Sequence, residues 1–163
     1  MDDLEIRPAE AADHATLVDF NIRLAWETEH KRLDSGLVGL GVMAVLTDPA
    51  KGRYFVAETR GIVVGQLMHT REWSDWRNGD LWWVQSVYIA PEVRGRGVFR
   101  RLYEHLRAEA KSGGAVVGIR LYVEAHNAAA KETYRRIGLR DAGYQVMEEL
   151  WSPRVPDCGR GSV

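Results

Sequence analysis

The sequence predicts one α+β domain over residues 1–151, a mixed but mostly antiparallel sheet with helices packed on it. Three observations predict it. Residues 54–89 hold β-rich runs joined by turn signals, which is an antiparallel meander. Residues 81–123 read strand, glycine loop, helix, strand, a crossover that places the outer strands side by side and parallel. Two helical patterns occupy most of residues 13–47, ahead of the meander.

Taken in order, Leu4–Arg7 is a short strand ended by Pro8, which has no N–H for a ladder. Asp13 can cap a helix to about Glu29, with Leu17, Phe20 and Leu24 on its core face. Glu27 and Glu29 at its end oppose the helix dipole, at a cost of about 0.3–1 kcal/mol, so they mark either a polar site or a solvated end. Asp34 or Ser35 opens a second helix through Thr47. Gly36, Gly39 and Gly41 each weaken it by about 1 kcal/mol. They read equally as a mobile lid and as close helix packing.

Tyr54–Thr59 and Ile62–Thr70 are strands about an Arg60-Gly61 turn. Trp73–Asp80 is a loop with an Asn78-Gly79 turn signal, and Leu81–Ile89 follows as a strand. Tryptophans 73, 76, 82 and 83 gather here, as sheet packing or as the lining of a pocket or interface. The next helix runs from Gly97 to about Lys111. Val116–Val123 is an apolar strand expected to be buried on both faces. Asn127 to about Ile137 is helical and closed by Gly138. Residues 139–142 and 144–151 read as two closing strands, and 152–163 as a loose tail.

Composition excludes several classes. The chain has 163 residues, 45% hydrophobic and 28% charged, with net charge −1. That balance gives no footprint for nucleic acid or a membrane surface. One cysteine, Cys158, forms no internal disulfide, and no leader pattern or membrane-length apolar run is present. A cytoplasmic protein is the expectation. The five histidines are scattered, so no metal site is expected.

The chemistry concentrates at Val87–Leu102. A strand ends at Pro91, Gly95 and Gly97 permit close backbone approach, and a helix starts at Val98. Free N–H groups at a helix start bind anions. Arg94, Arg96, Arg100 and Arg101 add forked donors suited to phosphate. The alternative is a strand-to-helix turn with a solvated arginine face. A dinucleotide fingerprint fails at Arg100, and no P-loop Gly-Lys-Ser/Thr exists.

Arg94-x-x-Gly97-x-Phe99 after a strand resembles the acyl-CoA pyrophosphate loop of the GCN5-related N-acetyltransferases (GNAT family), with Phe99 where that pattern has a small residue. Asn127, Ala130, Tyr134, Gly138 and Leu139 match the family's later segment. Asn127 and Tyr134, nearly two helical turns apart, share a face. The ordered pair of motifs covers roughly residues 80–142.

The resemblance implies about seven strands, splayed in a V between strands 81–89 and 116–123, flanked by about four helices. It implies acetyl-CoA as acyl donor, with no metal, and an amine acceptor. A homodimer is common in the family. The arm of acetyl-CoA would pair with the backbone of Val87 and Ile89. A bulge in the fourth strand would free an N–H of Val87 or Tyr88 for the thioester oxygen. The amides of Arg94, Gly95, Arg96, Gly97, Val98, Phe99 and Arg100 would hold the diphosphate. Asn127 would touch the arm, and Tyr134 would protonate the leaving thiolate. The base stays open among Glu29, Glu27, Glu124, His126 and Asp80, with Glu29 first and Gln85 able only to position water. The function implied is acetyl transfer from acetyl-CoA to a primary amine by direct attack. The alternatives are a non-catalytic acyl-CoA-binding module and an anion-binding interaction domain.

Overall fold

The structure is a computed structural model describing residues 3–151. The chain divides into two compact units, Met1–Glu124 and Ala125–Val163.

The first unit contains β1 (Leu4–Pro8), α1 (His14–Glu29), α2 (Ser35–Thr47), β2 (Arg53–Thr59), β3 (Ile62–Ser74), β4 (Gly79–Ile89), α3 (Val98–Ser112) and β5 (Val116–Leu121). The strands form one sheet in chain order. The first four pair antiparallel, and β4 with β5 parallel. The expected α+β class and the parallel crossover pair are therefore found. Arg60 and Gly61 both take positive φ, 53° and 73°, the backbone of a tight hairpin turn.

Side chains of β2 alternate across the sheet. Phe55 and Ala57 enter a core with Leu67, Trp82, Leu102 and Leu106 under α3. Tyr54 and Val56 enter another with Leu17 and Val42 under α1 and α2. Burial on both faces explains why β2 reads as a continuous apolar run.

Asp13 does not cap α1 with its side chain. Its carboxylate accepts from the Glu10 N–H at 2.8 Å and from the Arg7 guanidinium at 2.7 and 2.9 Å. Arg7 also reaches Glu58. Asp34 does cap α2, accepting from the Leu37 N–H at 2.7 Å. Of the α2 glycines, Gly39 lies against His14, whose Nε2 is 2.9 Å from the Gly39 carbonyl. Close packing thus explains that glycine.

Two expectations fail. β5 is not buried on both faces: its side chains are mostly half-buried and Val117 is exposed. It ends the sheet order, and its packed residues, Val116, Ile119 and Leu121, all join the α3-side core. The closing strands at 139–142 and 144–151 are absent, leaving five strands among the described residues. A β pattern is stable only when paired. In 139–151 an Asx turn forms instead, Asp141 accepting from the Gly143 N–H at 2.9 Å. The expected tail, 152–163, lies outside the described residues.

The second unit holds α4 (Ala128–Arg136). Asn127 caps it, its Oδ1 accepting from the Ala130 N–H at 2.9 Å. Gly138 closes it at φ 96°, and the Leu139 N–H bonds the Tyr134 carbonyl at 3.0 Å. The Asn127–Ala130 and Gly138–Leu139 spacings are those of a capped short helix.

Candidate active site

The parallel pair β4/β5 runs only from Asp80↔Val116 to Val84↔Leu121. Gln85–Ile89 continue β4 with no β5 partner. The ladder therefore stops short of the end of β4 that leads into the glycine loop, where the V is expected, because β5 ends at Leu121.

A bulge sits in this stretch. Met68 faces Gln85 and Gln66 faces Tyr88, so Ser86 and Val87 together stand opposite Leu67. Ser86 takes φ 48°, a left-handed conformation costing a non-glycine residue about 1–3 kcal/mol. Side chains hold it there. The fully buried Gln66 donates from Nε2 to the Ser86 carbonyl at 3.1 Å and to Asn21 Oδ1 at 3.0 Å. Asn21 donates from Nδ2 to the Tyr54 hydroxyl at 3.0 Å. Burial pushes the Tyr54 phenol up.

The loop beyond β4 is stapled to α1. A 3-10 turn at Pro91–Val93 leads to Arg94. Arg94 donates from Nε to the Ile89 carbonyl at 2.9 Å and from Nη2 to Glu27 Oε2 at 2.7 Å. Its guanidinium lies 5.4 Å from the centre of the Tyr88 ring. The Tyr88 hydroxyl donates to Glu27 Oε1 at 3.0 Å. Burial, then the Glu27 carboxylate, raises the Tyr88 phenol. Glu27 is thus held by loop and sheet, which accounts for one of the two acids at the end of α1.

Past Arg94, Gly95 and Gly97 take φ 74° and 78°, and a Cβ on either would meet nothing within 4 Å. Their conformation requires glycine, and their outer side is open. Gly97 caps α3 with no side-chain bond, and the first turn carries no acid. The leading N–H groups of Val98, Phe99 and Arg100 have no intrahelical partner by helix geometry. This is an electropositive cradle. Arg100 pairs along the helix with Glu104 at 2.8 Å, and Arg101 bonds the Leu4 carbonyl. Arg96 is exposed. Phe99 packs against the α3-side core, its ring 6.1 Å from Tyr103, so the side chain leaves the loop face clear. Val87 and Ile89 also point to that core, while Tyr88 is buried against Phe20 of α1, ring to ring at 4.9 Å.

On the α1/α2 side of the sheet the bulge borders a cleft of about 380 Å³. Ser86, Tyr54 and Asn21 line it, as do Leu24, Val42 and Met68. Glu29 also lines it, ion-paired with Lys31. The other acid at the end of α1 therefore faces a cleft. Asp80 pairs with Val116 at the far end of β4, roughly 20 Å of strand from Ser86. Gln85 donates to Thr70 Oγ1 at 2.9 Å.

Asn127 and Tyr134 belong to the second unit, where burial raises the Tyr134 phenol. Among the described residues no cluster of His, Cys, Asp and Glu could hold a metal, and no helix is long and apolar enough to cross a membrane. Sequence reasoning missed Asn21, Tyr54, Gln66 and Ser86 as a group. One signal was present: Gln85-Ser86 interrupts an otherwise apolar strand. Nothing linear ties that break to Gln66 or Asn21.

The model of the Acetyltransferase (GNAT) family matches residues 13–139. A mycothiol acetyltransferase from Mycolicibacterium gilvum (strain PYR-GCK) is 37% identical over 70 residues, 40% of this chain and 23% of that protein. A possible acetyltransferase from Clostridium difficile 630 superposes with TM-score 0.85 at 41% identity, covering 92% of this chain and 99% of that one. A predicted acetyltransferase from Clostridium acetobutylicum, solved with acetyl-CoA, shares the fold with TM-score 0.76 at 18% identity, over 90% of this chain and 96% of that one.

Proposed function

The chain belongs to the acetyltransferase (GNAT) family, and from that premise we propose that it moves an acetyl group from acetyl-CoA to a primary amine by direct attack in a ternary complex. One observation carries this reading. A single strand, β4, bears a bulge beside a cleft and leads directly into an uncapped, glycine-fronted helix start.

The residues present fit the donor. The open outer side of Gly95 and Gly97 and the free N–H groups from Val98 to Arg100 suit a diphosphate. The backbone of Val87 and Ile89, beyond the β5 ladder, offers an extended edge for an amide-bearing arm. Bound there, acetyl-CoA supplies an activated thioester carbonyl.

The chain's own groups do the rest. The bulge at Ser86-Val87 presets a backbone donor for the carbonyl oxygen; losing one such donor typically costs about 2.7–4 kcal/mol. Glu29, at the cleft, takes the proton of the incoming ammonium directly or through water. Tyr134, kept protonated by burial, gives a proton to the departing sulfur. Gln66, Asn21 and Tyr54 hold the bulge and so set the line of attack.

Thiol release with acetyl-CoA over a panel of primary amines tests the reading, beside calorimetry with coenzyme A. Binding with turnover supports it. Binding without turnover on any amine transfers the case to a non-catalytic acyl-CoA module, and no binding sinks both.

A further inference from the structure

The cleft beside the bulge is specific enough in its lining to name a class of acceptor. Its walls are aliphatic: Leu24, Leu33, Val38, Val42, Val45 and Met68. Its polar groups near the sheet are few: Asn21, Tyr54 and Ser86. Tyr54 accepts from Asn21, and the Asn21 carbonyl accepts from Gln66. A guest rich in hydroxyls or amines would bury polar groups here without partners, a heavy penalty. An apolar body loses nothing. Charge is equally restricted, because Glu29 is the acidic residue of the lining. That carboxylate already pairs with Lys31, so a guest with several ammonium groups finds no further acid in the lining. The volume of about 380 Å³ lies at the small end of ligand sites.

One glycine also acquires a role. Gly41 of α2 lines the cleft, and a Cβ there would meet nothing within 4 Å. Gly39, by contrast, lies against His14. The helix tolerates a poor helix former at position 41 where a side chain would narrow the cleft.

We infer that the acceptor is a small monoamine with an apolar aliphatic or aromatic body, rather than a polyamine, an amino sugar or a lysine side chain of a protein. This rests on the acetyltransferase reading above. The hydrocarbon lies against Leu24, Val38 and Val42, near Gly41, with the nitrogen between Glu29 and the bulge.

The test compares hexylamine and phenethylamine with spermidine, glucosamine and a lysine-containing peptide, on wild type and on Gly41→Leu. Replacing a helix glycine by leucine removes a helix-weakening residue, so folding is not at risk. The expected result is a kcat/KM for the apolar monoamines at least about tenfold above the others. Gly41→Leu should cut phenethylamine turnover by about tenfold. Preference for spermidine, glucosamine or the peptide overturns the inference. So does a Gly41→Leu enzyme that treats phenethylamine as wild type does. If no amine is turned over, calorimetry of the same amines on the coenzyme A-loaded protein still decides. Phenethylamine binding that Gly41→Leu abolishes upholds the class of guest while the transfer reading fails; no amine binding sinks the inference itself.

Discussion

The Gln66 carboxamide donates to the Ser86 carbonyl at 3.1 Å, across the point where two residues of β4 face one of β3. Gln66 is fully buried in the strand next to the bulge, and its second acceptor, Asn21, comes from α1. A left-handed serine in mid-strand is therefore held by a side chain that serves no core-packing purpose a methionine could not serve.

Gln66→Met keeps the volume and removes the donors. It should lower stability by about 1–3 kcal/mol, because Ser86 O and Asn21 Oδ1 lose a buried partner. Turnover should fall by about tenfold to a hundredfold, since the bulge that sets the line of attack is loosened. Coenzyme A affinity, resting on the loop and α3, should change little. Chemical denaturation, kinetics and calorimetry on one variant read all three; an unchanged kcat would separate Gln66 from the reaction.

Arg94 uses two different edges, Nε to Ile89 O and Nη2 to Glu27. Lysine cannot reproduce that fork. Arg94→Lys should therefore misplace the loop and weaken coenzyme A binding by about tenfold. The Arg94–Glu27 pair is substantially exposed, so the loss of stability should stay within about 1 kcal/mol. Titration calorimetry beside a melting curve distinguishes the two effects; a large loss of stability with intact binding would contradict this role.

His69 is buried and stacked against Trp82, ring centres 4.0 Å apart, with Phe55 on its other contact at 6.0 Å. Burial pushes its pKa down to about 4. The unfolded chain binds this proton near pH 6.5 and the native chain does not. Stability is then full above about pH 6.5 and falls as pH drops from there to about 4, by up to roughly 2–3 kcal/mol. His69→Phe should flatten that stretch of the curve. Asp13 acts in a separate window: its carboxyl is held below the usual range by Arg7, so its contribution is lost only as pH falls below about 4. Urea melts across pH 4–8 check this, and equal slopes for wild type and His69→Phe would refute it.

Tyr134 has its phenol raised by burial, so it stays protonated through neutral pH. Tyr134→Phe should reduce kcat by about tenfold to a thousandfold with little effect on coenzyme A binding. A phenol that stays protonated can donate to the sulfur but cannot act as a base, so the deficit should be similar near pH 6 and near pH 8. A kcat identical to wild type would remove Tyr134 from the mechanism.

Several elements were legible because their signals are local. Asp34 before an apolar run starts α2, Arg60-Gly61 turns the hairpin, and Gly95 and Gly97 break the chain before α3. The parallel pairing of β4 and β5 followed from the crossover rule. Residues 139–151 misled because alternation there, as at Tyr144 and Val146, describes a strand only when another strand is present to pair with it. Glu27 and Glu29 could be flagged as misfits to the helix dipole, but not told apart. One reaches Arg94 and Tyr88, the other the cleft.

By itself, the amino-acid order determined the class of fold, the positions of the caps and turns, and the glycine loop with its arginines, because each depends on the backbone preferences of neighbouring residues. Tertiary structure alone decided which acid staples the loop, which polar residues seize the bulge, and which α2 glycine opens on the cleft. Those outcomes depend on side chains distant in sequence, such as Asn21, Tyr54, Gln66 and Ser86, and the sheet register that joins them is written in no short stretch of the chain.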